Sequence, residues 1–177
     1  MKPVKTVKVL LAAAMLCLPA ASSADAAAAE PVSIGAEQAA QTANPWTDYQ
    51  TKQEAQKAAG IKIKAPNKYF IYKIRDYRVM TENPPMLELV YTSIKGKGDY
   101  ADTMTIRKSA QTGDISGDYA DYEFIKELKV SKRSVTAKGN GQYFHSAVWQ
   151  DGKYAYALMI DGGLTEKELT KLIAKIR

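Results

Sequence analysis

Residues 142–160 read QYFHSAVWQ-DG-KYAYALMI, and the fold turns on them. Two alternating runs flank Asp151-Gly152, a dipeptide that supplies the positive φ of a tight hairpin. In the second run Tyr154, Tyr156, Leu158 and Ile160 share one face, while Ala155, Ala157 and Met159 make the opposite face apolar too. Successive strand side chains point to opposite sides, so a strand apolar on both is central and covered twice. By the same rule Tyr143, His145, Ala147 and Trp149 fall together on one side of the first run.

The period of two continues outward from this hairpin. It marks residues 61–64, 69–80, 86–94, 102–108, 119–130 and 133–138. Between these runs lie Pro66, Asn83-Pro84-Pro85, the turn at 95–99, the Gly- and Asp-containing stretch 112–117, and Asn140-Gly141. Alternation turns Met104 and Ile106 inward and Arg107 outward, and it places Glu88, between Leu87 and Leu89, on the wet face. Thr51 and Glu54 have capping-box spacing ahead of the small apolar set Ala55, Ala58 and Ala59, with Gly60 as the stop. Thr165 and Glu168 repeat that spacing, and Leu169, Leu172, Ile173 and Ile176 follow a helical stripe. No strand pair encloses a crossover helix. The expected fold is α+β: an antiparallel sheet of about seven strands in meander order, flanked by a short N-terminal helix and a C-terminal amphipathic helix.

The N-terminal segment reads as an export signal. Lys2, Lys5 and Lys8 precede the apolar run 9–18, and small residues follow Pro19. The run is too short for a membrane span, which needs about 20 apolar residues. Cleavage is expected after Ala26, with Ala24 as the alternative. Cys17 lies inside the apolar run behind Leu16 rather than behind a small residue, so lipidation is not favoured. The expected domains are therefore a signal peptide at 1–26, a flexible Ala-rich leader at 27–43, and a single α+β domain at 44–177. Loss of the signal removes Cys17, three Lys and Asp25; the 25 basic and 19 acidic residues become 22 and 18, a net charge of +4. A thiol-free product excludes disulfides, thiol nucleophiles and thiolate metal sites.

Little catalytic chemistry is legible. His145 is the only histidine, so a zinc site of four nitrogen or sulfur ligands cannot be assembled. Asp114, Asp118, Asp121 and Glu123 lack the D-x-D-x-D-G pattern of a calcium loop. There is no G-x-S-x-G elbow and no P-loop. The pair Gly98-Asp99-Tyr100-Ala101-Asp102 and Gly117-Asp118-Tyr119-Ala120-Asp121 does not extend into a longer repeat and reads as two turns entering strands. Eleven Tyr against three Phe make a set of polar-tipped aromatics suited to a partly wet sheet face. Tyr143, His145 and Trp149 are the candidate ligand-binding floor; the structural alternative is a hydrogen-bonded histidine among aromatic neighbours.

Several stretches together resemble a known family. They are residues 114–119 (DISGDY), 135–140 (VTAKGN), Ala147-Val148-Trp149 before Asp151-Gly152, Tyr154 and Tyr156, and 163–169 (GLTEKEL), with Asn44-Pro45-Trp46 ahead of the first helix. The chain from about Asn44 to Ile176 is similar to uncharacterised extracytoplasmic domains of Firmicutes and their double-membraned relatives, domains that also form the outer part of predicted anti-sigma factors. The resemblance implies a secreted or tethered module and supplies no catalytic residues. This chain departs from the tethered type, since no apolar span follows its signal.

The expected function is an exported, periplasmic or secreted, non-enzymatic binding or sensing module of the cell envelope. It needs no cofactor or metal, and its partner is a small apolar or amphipathic ligand or an envelope protein. Nucleic acid is not expected as a partner, and the membrane is met only during export. The alternatives are an exported hydrolase using paired carboxylates, or an adhesion module for anionic wall polymers.

Overall fold

The computed structural model describes residues 44–94 and 101–177. The signal, the leader, the turn at 95–99 and most of the first Gly-Asp-Tyr-Ala-Asp copy lie outside the described residues. The elements run in the order β1 (Trp46–Tyr49), α1 (Lys52–Ala59), β2 (Lys68–Tyr69), β3 (Tyr72–Met80), β4 (Met86–Ser93), β5 (Thr103–Ser109), β6 (Phe124–Val130), β7 (Arg133–Gly139), β8 (Phe144–Asp151), β9 (Tyr154–Leu164) and α2 (Glu166–Ile173). The chain is α+β, with one antiparallel sheet and two helices.

The sheet holds nine strands rather than about seven, and it is not a single meander. Its order is β1-β3-β4-β5-β9-β8-β7-β6, with the short β2 paired to β3. Two meanders, β3-β4-β5 and β6-β7-β8-β9, join where β5 pairs with β9. The segment 110–123 therefore crosses the sheet to its far edge before β6 begins. That position makes β9 central, as its two apolar faces require. The first helix is preceded by a strand, because Trp46–Tyr49 pairs antiparallel with β3.

Both helices and the extended segment 61–66 lie on one face, here the inner face. Leu169, Leu172, Ile173 and Ile176 are buried there with Leu87, Leu89, Tyr91, Met104, Ile106, Tyr156, Leu158 and Ile160. In α1 the capping box is complete, Glu54 N donating to Thr51 Oγ1 at 3.2 Å and Thr51 N to Glu54 Oε2 at 3.1 Å. Gly60 closes the helix at φ 64°. Ala55 and Ala59 are buried, but Ala58 faces solvent. Residues 61–64 join no ladder of the sheet; Ile61 and Ile63 plug the core while Lys64 exchanges backbone bonds of 2.7 and 2.9 Å with Arg177.

The outer face is only partly wet. Met86, Ile115, Ala155 and Ala157 form a second apolar cluster, with Trp46, Met80, Val148 and Met159 against it. Ile115 reaches it from the 110–123 segment, which is loop where a strand from residue 119 was expected. Tyr119 is 96% exposed and lies ahead of β6, outside any strand. Arg107 pins the loop by donating from Nη1 to the carbonyl oxygens of Ile115 (3.4 Å) and Ser116. This covering corrects the placement of Glu88: it does point to the outer face, but it is 2% exposed.

Candidate functional site

A cleft of about 420 Å³ opens on the outer face, between the 110–123 loop and the β8–β9 end of the sheet. Arg107, Met159 and Asp161 come from strands, Gly117, Asp118 and Tyr122 from the loop, and His145 from the start of β8. A cavity of this size is in the range of small-molecule sites.

His145 reaches the cleft because of a large bulge. Phe144 pairs with Leu164 and Ser146 with Met159, so His145 alone stands opposite residues 160–163 of β9. The bulge withdraws carbonyls from the ladder, and buried carbonyls need partners. His145 Nδ1 lies 3.2 Å from the Ile160 oxygen and 3.1 Å from the Asp161 oxygen. Two carbonyl acceptors require the proton on Nδ1, which leaves Nε2 as an acceptor in the neutral ring. Gly163, at φ 67°, makes room: a Cβ there would sit 2.8 Å from Tyr143 Cβ and 2.9 Å from His145 Cε1.

The acidic groups of the cleft are held by local donors. Tyr122 donates its hydroxyl to Asp118 Oδ2 at 2.6 Å, and Ala120 N donates to Asp118 Oδ1 at 3.1 Å. Burial, with the Asp118 bond and charge behind it, pushes Tyr122 up to about 12. Asp161 Oδ2 accepts from both the backbone N and the hydroxyl of Thr103, each at 2.8 Å. Asp114, just outside the cleft, is disfavoured as an anion by burial, yet its bonds with Ser116 and Lys138 outweigh that and hold its carboxyl below the usual range. Asp114, Asp118 and Asp161 thus each accept from protein donors. Arg107 donates from Nε to Glu88 and from Nη1 to the loop carbonyls. The cleft consequently presents acceptors: carboxylate oxygens, the Tyr122 oxygen, the Met159 sulfur and the free nitrogen of His145.

The three residues read from the sequence as one floor are separated. Tyr143 precedes β8, is 38% exposed, and flanks His145 across Gly163. Trp149 is 4% exposed on the inner face, stacked on Tyr156 with ring centroids 5.2 Å apart. The β8–β9 bulge breaks the shared parity, sending His145 to the outer cleft while Ala147 and Trp149 stay in the core. Alternation gave no sign of Asp118, Tyr122 or Asp161 as neighbours of His145. The one hint was the second Gly-Asp-Tyr-Ala-Asp copy, which supplies Gly117 and Asp118; of the first copy, only Ala101 and Asp102 are described.

Among the described residues no group of three or more His, Cys, Asp or Glu could hold a metal ion, and no helix is long and apolar enough to cross a membrane. Ser116 Oγ accepts from Asp118 N, His145 Nδ1 faces the backbone carbonyls, and among the described residues no hydrogen bond joins a hydroxyl of the cleft to His145. No family model, curated protein or solved structure matches the chain.

Proposed function

We propose that the protein is an exported, non-enzymatic binding or sensing module of the cell envelope, and that its outer-face cleft takes a small ligand rich in hydrogen-bond donors, an amine foremost. The export signal and the resemblance to extracytoplasmic domains support the location. One observation carries the ligand class: Asp118, Asp161, Tyr122 and His145 converge on one cleft with acceptor atoms, while its only guanidinium is already bound to Glu88 and to backbone. An ammonium or hydroxyl group satisfies such acceptors, and charge assistance strengthens the bond to a carboxylate. The inner face is packed by the protein's own helices, which favours the outer cleft over a ligand lying on the sheet interior.

Three sugars of one shape test the reading: glucosamine, glucose and glucuronate, titrated while backbone amide resonances are followed. Glucosamine is expected to move the resonances of Gly117, Asp118, Tyr122 and His145, with glucose weaker and glucuronate inert. Asp118→Asn should weaken glucosamine by about tenfold, the equivalent of one charge-assisted contact. Preference for glucuronate, or shifts that avoid the cleft, would overturn the ligand class.

A further inference from the structure

A second groove, sharing no residue with the outer cleft, lies where the β2–β3 hairpin meets the end of α2. It encloses about 480 Å³ and is lined by Lys68, Tyr69, Phe70, Lys171, Ala174 and Lys175. Tyr69 pairs with Tyr72, so Phe70 and Ile71 form a two-residue hairpin loop. Such loops call for glycine or asparagine at positions of positive φ. Here the position holds Phe70, at φ 49°. A bulky side chain in that region is a genuine outlier, at a cost on the order of 1–3 kcal/mol. The ring gains little in return from the fold, because Phe70 is 54% exposed and only edges against Tyr69, centroids 4.5 Å apart. Backbone strain and an exposed aromatic at one residue have no folding rationale in this structure.

The surroundings define what would cover the ring. Lys68, Lys171 and Lys175 stand around it, and among the described residues none of the three has an ion-pair partner. Lys175 Nζ lies 5.6 Å from the centroid of Tyr69, so its charge is held over the aromatic floor. Tyr69 is itself fixed, donating its hydroxyl to the Glu168 carbonyl at 2.6 Å. An apolar floor of Phe70, Tyr69 and Ala174 beneath a rim of ammonium groups is complementary to one ligand chemistry. We propose that this groove binds a single-chain anionic amphiphile, its apolar chain against Phe70 and its acid headgroup among Lys68, Lys171 and Lys175.

The test uses dodecyl phosphate below its micellar concentration, followed by calorimetry. Controls are dodecyltrimethylammonium, inorganic phosphate, and vesicles of phosphatidylglycerol mixed with phosphatidylcholine. Saturable binding of dodecyl phosphate is expected, with no detectable affinity for the ammonium amphiphile or for inorganic phosphate. The double change Lys171→Glu with Lys175→Glu should weaken it at least about tenfold, one charge-assisted contact or more. Phe70→Gly should also weaken it while leaving the circular dichroism and thermal midpoint intact or improved, because glycine relieves the strained position. Binding to vesicles but not to the monomer, equal binding of the cationic amphiphile, or unchanged affinity in either variant would overturn the proposal.

Discussion

Glu88 and Arg107 face each other across β4 and β5, with Arg107 Nε 2.7 Å from Glu88 Oε2. They end a cross-sheet row in which Asp48, Arg78, Glu88 and Arg107 follow one another on β1, β3, β4 and β5. Charge alternates along the row, Arg78 contacting Asp48 at 3.0 Å and Glu88 at 3.7 Å. Arg107 also stands 5.2 Å from the centroid of Trp46 and clamps the 110–123 loop. One guanidinium thereby links the buried charge, the first strand and the wall of the outer cleft.

Removing Glu88 leaves the half-buried Arg107 without its counter-charge, whereas removing Arg107 leaves the buried Glu88 with only the longer Arg78 contact of 3.7 Å. Glu88→Ala is expected to cost roughly 3 kcal/mol, at the lower end for a broken buried pair because Arg107 keeps its carbonyl acceptors. Replacing both partners, Glu88→Leu with Arg107→Met, should recover most of that loss. Urea denaturation of the three proteins measures this. Arg107→Ala should in addition speed amide exchange at Ser116 and Gly117, the residues whose loop it anchors. Unchanged exchange there would separate the clamp from the salt bridge.

The tyrosines give a pH signature. Tyr122 and Tyr156 are both pushed up to about 12, burial being the leading cause in each; Asp118 adds for Tyr122 and Asp151 for Tyr156. An unfolded tyrosine ionises near 10. Between those values the unfolded chain loses protons that the folded chain keeps, so stability is full below about 10 and falls as pH rises toward 12. Absorbance titration should reveal a late-ionising class of tyrosines, and Asp118→Asn should move one member of it to lower pH. An unaltered late class in Asp118→Asn would remove the Asp118–Tyr122 bond from the account.

Much of the sheet was legible because alternation is a local property. Tyr156, Leu158 and Ile160 are buried where the pattern placed them, and the capped stripe of α2 covers them. What escaped depends on distant chain. Glu88 was assigned to the correct face, but the cover over that face comes from Trp46 and Ile115, more than 25 residues away on either side. The same holds for the site. Parity carries a reader along β8 only while the ladder is regular, and the four residues of β9 opposite His145 break it. Gly162 and Gly163 were visible as a breaker ahead of the last helix, yet they belong to the bulge that aims His145.

Gly163 gives a direct test of that bulge. Its φ of 67° and the contacts below 3.0 Å that a Cβ would make leave no unstrained place for alanine. Gly163→Ala should destabilise by about 1–3 kcal/mol through backbone strain alone. It should also displace the His145 ring from the carbonyls of Ile160 and Asp161, seen as a changed imidazole nitrogen resonance. An unchanged resonance would mean that the ring is held by something other than the bulge.

Trp149 separates packing from binding. It is stacked at 6° to Tyr156 in the filled core, and its buried indole Nε1 has no hydrogen-bond partner. An unpaired buried donor costs free energy, so a smaller aromatic that lacks the donor loses volume but also loses that penalty. Trp149→Ala should therefore cost about 3–5 kcal/mol, the usual range for emptying a core aromatic site, and Trp149→Phe distinctly less. Denaturant midpoints measure both. Trp149→Phe should leave the affinity of the outer cleft for glucosamine unchanged, because Trp149 is not among its walls. A loss of affinity without a loss of stability would return Trp149 to the ligand site and displace the cleft as its centre.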